Sequence, residues 1–219
     1  MCAAAAEGCA TRLAATHANS VVGAAMCGTL LVTCGLDDRV CWSDTAACKL
    51  VESIALPCAP KALGASSDGL VVIATVSGFC TVRRGGALCS TPLAGASAVA
   101  VTHDGQAVVI GSESGSIHFY SVSAGVVLQP RSVLSKHRGA VTALAFDSAG
   151  AMLASCDANR EVVIWERAPG EPCWAVRASV GRMLYHTARV ACLAWSPDGQ
   201  RLASAGAPCC AARCGRARA

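Results

Sequence analysis

The amino-acid sequence predicts an all-β fold, an incomplete propeller of about four antiparallel four-stranded blades plus the start of a fifth. Three observations lead to this prediction: turns built on glycine recur along the chain, a short apolar run precedes each turn, and further short strands follow it. The glycines that align the turns are Gly28, Gly69, Gly105, Gly150 and Gly199. They are 41, 36, 45 and 49 residues apart, and a period of about 40–45 residues is typical of a propeller blade.

The segments around these turns have the composition of strands. The runs before the turns include residues 98–101, 141–146 and 190–195, and the third strands include residues 39–42, 116–120 and 161–165. These runs are almost uniformly apolar instead of alternating between apolar and polar residues. Such a pattern indicates a small sheet that packs against a neighbouring sheet on each face.

The turn Ser196-Pro197-Asp198-Gly199 places a serine beside an aspartate, which raises the question of catalysis. The same residue types fit a type I turn, because Pro197 presets φ and the Ser196 side chain can bond backbone groups within the turn. No histidine lies close in sequence, and no G-x-S-x-G elbow surrounds the serine. We interpret the stretch as a structural turn, and the sequence predicts no catalytic residue.

The composition excludes several classes of protein. Of 219 residues, 53% are hydrophobic and 15% are charged, which is too apolar for a disordered chain. No apolar run approaches the roughly 20 residues that span a bilayer, and the N-terminus lacks the basic region of a signal peptide. A cytoplasmic location without a membrane partner is therefore expected. The formal net charge of +4 includes three arginines after Gly206, so no basic face predicts nucleic-acid binding.

Fifteen cysteines leave three interpretations open: small buried hydrophobes, a disulfide scaffold or a metal site. Cys27, Cys34, Cys41 and Cys48 recur every seven residues, without a C-x-x-C pair or paired histidines. In an extended chain this spacing directs alternate side chains to opposite faces, which does not suit one metal ion. The spacing favours buried hydrophobes, and the sequence predicts no metal, no cofactor and no small-molecule substrate.

A histidine precedes several of the apolar runs by a few residues: His17, His137 and His186. The fourth unit is the most complete, and with its Trp165 it resembles the WD-repeat β-propeller family. In that family a His, a Ser or Thr, an Asp and a Trp form a hydrogen-bonded network inside a blade. The resemblance implies a structural network of His137, Ser155, Asn159 and Trp165. Asn159 stands where Asp is usual, so we expect this network to lack the charge that orients the histidine.

Three segments in order narrow the resemblance: residues 34–40, residues 137–146 with 153–157, and residues 186–198. They resemble the C-terminal propeller of the actin-interacting, two-propeller branch of the WD-repeat family. The resemblance implies that the protein binds actin filaments and cofilin, assists cofilin-driven filament disassembly and is not an enzyme. We transfer no actin-contacting residue, because in this branch much of the contact lies on the first propeller, which the match does not cover. The partner-binding residues are therefore unknown at this stage.

The sequence divides into an Ala-rich segment at 1–15, a partial propeller at 16–206 and a Cys- and Arg-rich tail at 207–219. The tail contains no β-branched or aromatic residue, so a shifted reading frame or unspliced intron explains it better than a functional basic tail. An open arc of blades would expose apolar edges and favour self-association. Three alternatives remain: a WD-repeat scaffold for another complex, an enzyme with a cysteine nucleophile, and a product without activity of its own.

Overall fold

The structure is all-β over the part of the chain that it describes. This computed structural model describes residues 17–123, 126–167, 174–180, 186 and 188–206. Those residues form four four-stranded antiparallel sheets and a two-stranded hairpin, which confirms the predicted fold class. Within the same ranges there is no helix that could cross a membrane. The segments predicted at 1–15 and 207–219 lie outside the described residues.

Eighteen strands build the five sheets, which we number in chain order. The first sheet contains β1 (Val21–Cys27), β2 (Leu30–Gly35), β3 (Arg39–Asp44) and β4 (Lys49–Ala55). The second contains β5 (Pro60–Ala65), β6 (Leu70–Thr75), β7 (Gly78–Arg83) and β8 (Cys89–Pro92). The third contains β9 (Ala96–Val101), β10 (Ala107–Ser112), β11 (Ser116–Ser123) and β12 (Val127–Ser135). The fourth contains β13 (Val141–Phe146), β14 (Met152–Asp157), β15 (Val162–Arg167) and β16 (Trp174–Val180), and the fifth contains β17 (Val190–Trp195) and β18 (Leu202–Gly206).

Within each sheet the strands follow one another in chain order, so every sheet is a simple meander. The first strand of each sheet adjoins the first strand of the next. The five first strands, β1, β5, β9, β13 and β17, therefore lie side by side along one edge of the assembly. This arrangement is the blade order of a propeller.

The glycine turns join the first and second strands of every sheet. Gly28, Gly69, Gly105, Gly150 and Gly199 all have a positive φ, between +61° and +100°. A side chain would be strained in this conformation, which explains why glycine marks the repeat. In the last turn the Gly199 N–H donates to the Ser196 carbonyl at 2.9 Å, and the Arg201 N–H donates to Ser196 Oγ at 2.9 Å. The structural interpretation of this turn agrees with these bonds.

A register irregularity recurs where the first strand of each sheet pairs with the second. On the first strand it falls between Val21 and Gly23, Pro60 and Ala62, Val141 and Ala143, and Val190 and Cys192. In the third sheet it falls opposite Gly111 and Ser112, where Ser97 of the first strand is left unpaired. A bulge of this kind leaves one residue unpaired and redirects its side chain. Its recurrence at one register position shows that the five sheets are copies of one unit.

Two of the bulged residues tie their sheet to the next one. Ser97 Oγ donates to the Val141 carbonyl at 2.7 Å, and Thr142 Oγ1 donates to the Val190 carbonyl at 2.6 Å. Each bond joins the first strand of one sheet to the first strand of its neighbour. The edge along which the sheets meet is thus fixed by polar bonds as well as by apolar contact.

The hydrophobic core lies between the sheets. Between the first and second sheets it includes Val32, Val40, Trp42, Val71 and Ile73. Between the second and third it includes Leu70, Val72, Phe79, Val108 and Ile110, and between the third and fourth Val109, Ile117, Phe119, Leu153 and Trp165. Every residue of β6 is buried, because both faces of the second sheet are covered. This is the reason for the uniformly apolar strands in the sequence.

Nine cysteines lie among the described residues, and none of these nine forms a disulfide bond. The buried ones are Cys27, Cys34, Cys41, Cys80 and Cys156. Burial raises the pKa of Cys34 and of Cys156 to about 11. These five behave as the small hydrophobes that the spacing favours, whereas Cys89 and Cys192 are exposed.

Replacing Thr142 by valine tests the bond between the fourth and fifth sheets. The change keeps the side-chain shape but leaves the Val190 carbonyl without the hydroxyl. We expect the free energy of unfolding to fall by about 1–2 kcal/mol, the usual cost of a lost partner at a buried polar group. Urea unfolding followed by circular dichroism measures this. The control Thr91→Val, on the exposed strand β8, should change it by no more than about 0.5 kcal/mol. Equal losses in the two variants would contradict the role of the bond.

Candidate functional site

The fourth sheet holds a chain of three polar side chains in its interior. His137 lies in the loop before β13, Ser155 lies in β14 and Trp165 lies in β15, and all three are buried. Nε2 of His137 is 2.7 Å from Ser155 Oγ, and Trp165 Nε1 donates to the same oxygen at 2.8 Å. One hydroxyl thus joins the loop to two strands of the sheet.

The carboxylate beside His137 belongs to Asp157 and not to the position expected from the sequence. Asp157 Oδ2 lies 3.7 Å from His137 Nδ1, and both side chains are fully buried. Its two oxygens accept backbone N–H groups, Oδ2 from Gly139 at 3.2 Å and Oδ1 from Glu161 at 2.9 Å. Asn159 lies in the turn after β14, where its amide stands against Gly139. The expectation that Asn159 leaves the site without a charge is corrected, because Asp157 brings a carboxylate from two residues earlier.

The His137 ring is neutral near pH 7. Burial lowers its pKa, and this effect exceeds the opposite influence of the Asp157 and Glu161 carboxylates. In the unfolded chain a histidine takes up a proton near pH 6.5. Stability from this group is therefore present above that pH and is lost as the pH falls through it.

The first sheet contains the same histidine–hydroxyl contact, without the tryptophan bond and with a shorter histidine–carboxylate distance. His17 Nε2 is 2.8 Å from Thr33 Oγ1, and His17 Nδ1 is 2.8 Å from Asp37 Oδ1. Asp37 stands four residues after Thr33, as Asn159 stands four residues after Ser155. The aspartate of the first sheet thus occupies the position that the sequence predicts.

A glycine explains why the acid can stand at that position in the first sheet. Gly35 follows Thr33 by two residues, as Asp157 follows Ser155. A Cβ at Gly35 would lie 2.6 Å from His17 Nδ1 and 2.7 Å from Asp37 Oδ1. A side chain there would displace the carboxylate of Asp37, so the two sheets supply the acid from alternative positions. The sequence pattern that could have indicated Asp157 is an acidic residue two positions after Ser155, where the first sheet has a glycine.

The fifth sheet repeats the histidine–hydroxyl contact. His186 Nε2 is 2.7 Å from Ser204 Oγ. The two residues are separated by 18 positions, as are His137 and Ser155. All three histidines that precede apolar runs in the sequence therefore contact a hydroxyl on the second strand of their sheet.

The second and third sheets replace this contact with apolar packing. Ser155 pairs with Val163 across the fourth sheet, and the residues at the same register position are Ile73 and Ile110. Both isoleucines are fully buried. The histidine–hydroxyl contact is therefore present in the first, fourth and fifth sheets and is replaced by hydrocarbon in the second and third.

Among the described cysteines, the hypothesis of a cysteine nucleophile is best examined at Cys58, because the pKa of its thiol is lowered. The hydrogen bond with the Ser77 hydroxyl is the main influence that lowers the pKa of its thiol. The Sγ atom is 2.9 Å from Ser77 Oγ. The lowered pKa favours the thiolate form, but a hydroxyl such as that of Ser77 orients a thiol without acting as a base.

Comparison with known proteins agrees with this geometry. The WD domain, G-beta repeat family matches residues 128–166 and 178–210. Actin-interacting protein 1-2 of Arabidopsis thaliana is 36% identical over 186 residues, which is 82% of this chain and 29% of that protein. The 66 kDa stress protein of Physarum polycephalum is 30% identical over 199 residues, 89% of this chain and 32% of that protein. WD repeat-containing protein 1 of Bos taurus is 31% identical over 181 residues, 80% of this chain and 28% of that protein.

The repeated four-stranded sheets and the family match show that this chain contains WD40 repeats in an incomplete propeller architecture. More narrowly, it is homologous to actin-interacting protein 1 over most of its length. The chain spans about a third of the length of these curated relatives.

Replacing Ser155 by alanine tests whether the network is structural, as we predict. The change removes the acceptor of the Trp165 indole and the partner of His137 Nε2 at once. We expect the free energy of unfolding to fall by about 2–4 kcal/mol, because two buried polar groups lose their partner. Denaturant unfolding measures this loss against Ser135→Ala, which lies at an exposed position of β12. If Ser155→Ala is no less stable than this control, the network does not hold the sheet together.

Proposed function

We propose that this chain is part of an actin-filament-binding protein that assists cofilin-driven filament disassembly. One observation carries the proposal: over 82% of its length the chain is 36% identical to a protein named for its interaction with actin. The relatives from Caenorhabditis elegans and Drosophila melanogaster carry the same name. The proposed location is the cytoplasm, in association with the cytoskeleton.

The geometry supports a binding role for the chain. Its polar networks are buried between loops and strands, where they connect backbone segments. Rigid sheets with turns at their ends suit a platform whose exposed loops contact a partner. We therefore propose a binding and regulatory function without catalysis.

Co-sedimentation with actin filaments tests the proposal. The full 219-residue chain is pelleted with filaments alone, with cofilin alone and with both together. We expect the chain to pellet most with filaments that carry cofilin and to increase the actin left in the supernatant. The Ser155→Ala variant, at a temperature where it is unfolded and Ser135→Ala is folded, reports whether binding needs the folded sheets.

The alternative of a WD-repeat scaffold for another complex predicts a different outcome. In that case the folded chain stays in the supernatant with filaments, with cofilin and with both, even when the chain is in large excess over actin and cofilin. The same result from a protein with verified folding would contradict the actin proposal. Pelleting that is equal for folded and unfolded variants would contradict it as well, because such binding would be non-specific.

A further inference from the structure

Three potential metal ligands meet at the turn between β14 and β15 in the fourth sheet. They are His137, Asp157 and Glu161, and their ligand atoms all lie within 4.8 Å of one another. No other group of this kind occurs among the described residues. The cluster uses imidazole and carboxylate donors, so the cysteine spacing that predicts no metal site does not bear on it.

The His137 ring points an unpartnered nitrogen into this cluster. Nδ1 has no hydrogen-bond partner although its side chain is fully buried. The Asp157 carboxylate is 3.7 Å away, beyond hydrogen-bond distance. In the first sheet the equivalent nitrogen of His17 is 2.8 Å from Asp37, so the gap distinguishes the fourth sheet from the first.

The hydrogen bonds of Ser155 are compatible with a His137 Nδ1 that carries no proton. A hydroxyl has one proton to donate and can accept two. Trp165 Nε1 donates to Ser155 Oγ, and the hydroxyl can donate to the Val163 carbonyl at 3.5 Å. When His137 Nε2–H fills the second acceptor position, every capacity of the hydroxyl is used. Nδ1 then presents a lone pair to the two carboxylates, which a cation between them would accept.

We propose that His137 Nδ1, Asp157 and Glu161 bind a divalent transition-metal cation of the Zn²⁺ type. Zinc binds imidazole nitrogen and carboxylate oxygen at about 2.0–2.2 Å, which places two tetrahedral ligands about 3.3–3.6 Å apart. The separation of 3.7 Å between Nδ1 and Asp157 Oδ2 is close to this distance. Glu161 is the half-buried member and lies on the solvent side, where water completes the coordination.

The surroundings of the cluster fit a cation. The two carboxylates bring two negative charges, and the neutral imidazole is the form that binds a metal. Further hydrogen bonds orient the two carboxylates. Asp157 Oδ1 accepts the Glu161 N–H, and Glu161 Oε1 accepts a hydrogen bond from the Ser179 hydroxyl at 2.9 Å. Such outer bonds orient metal ligands in proteins.

A titration with Co²⁺ tests the proposal, since Co²⁺ replaces Zn²⁺ in many sites and its absorption spectrum identifies its ligands. The full 219-residue chain should bind one equivalent at this site without the intense charge-transfer band of a cobalt–thiolate bond. Glu161→Gln should weaken binding at least tenfold, because it keeps the side-chain shape but removes the ligand charge. Glu166→Gln is the matched control, since Glu166 pairs with Arg177 on the surface of the same sheet, and it should bind as the parent does.

Three outcomes would overturn the proposal: no binding of Co²⁺, a thiolate band that accounts for all the bound metal, or equal affinity in Glu161→Gln and the parent chain. Circular dichroism of each variant confirms that it is folded before the titration. Glu161 is half-buried, and the change to glutamine replaces one carboxylate oxygen by an amide group of the same size, so we expect this variant to fold. The test therefore remains valid even if Asp157→Asn or His137→Gln does not fold.

Discussion

Each sheet of this protein has two apolar faces, and this constraint determines the rest of the structure. A four-stranded sheet with both faces apolar cannot be stable alone in water, because burial of apolar surface is the main favourable contribution to folding. The second and third sheets meet the constraint with neighbours on both sides, and β6 is buried at every residue. The first strands then meet along one edge, where Ser97 and Thr142 hold adjacent sheets together.

The polar networks are variations within this packing. A buried histidine lowers stability unless its nitrogens find partners, and the hydroxyls of Thr33, Ser155 and Ser204 provide one partner each. Where the second strand carries isoleucine, as at Ile73 and Ile110, hydrocarbon fills the same position. The repeat thus fixes the place of the side chain in the sheet, while its chemistry differs from one copy to the next. In the fourth sheet one buried ring nitrogen, His137 Nδ1, remains without a hydrogen-bond partner.

Much of this could be predicted from the sequence because the signals are local. The glycines with positive φ, the apolar runs and the third strands are set by residues within a few positions of each other, and the structure has them where the sequence predicts. The position of the acid could not be predicted in this way. Asn159 is the residue at the expected spacing, but Asp157 reaches the ring because its Cβ stands where Gly35 has none in the first sheet. Whether the acid lies two or four residues after the hydroxyl residue depends on distances within the folded sheet, which cannot be derived from the order of residues alone. The hydrogen bond from Thr142 to the Val190 carbonyl could not be predicted for the same reason, because it depends on a bulge in β13.

Hydrogen exchange of the folded chain, measured by mass spectrometry sheet by sheet, tests the central claim most directly. If stability comes from packing between sheets, protection is highest in β6 and β10, which have a sheet on each side. Protection should then be lower in β1 and β2 and lowest in β17 and β18, since local opening requires less free energy where fewer apolar contacts are lost. Equal protection in β17–β18 and in β6 would contradict the account, because each sheet would then be stable without its neighbours.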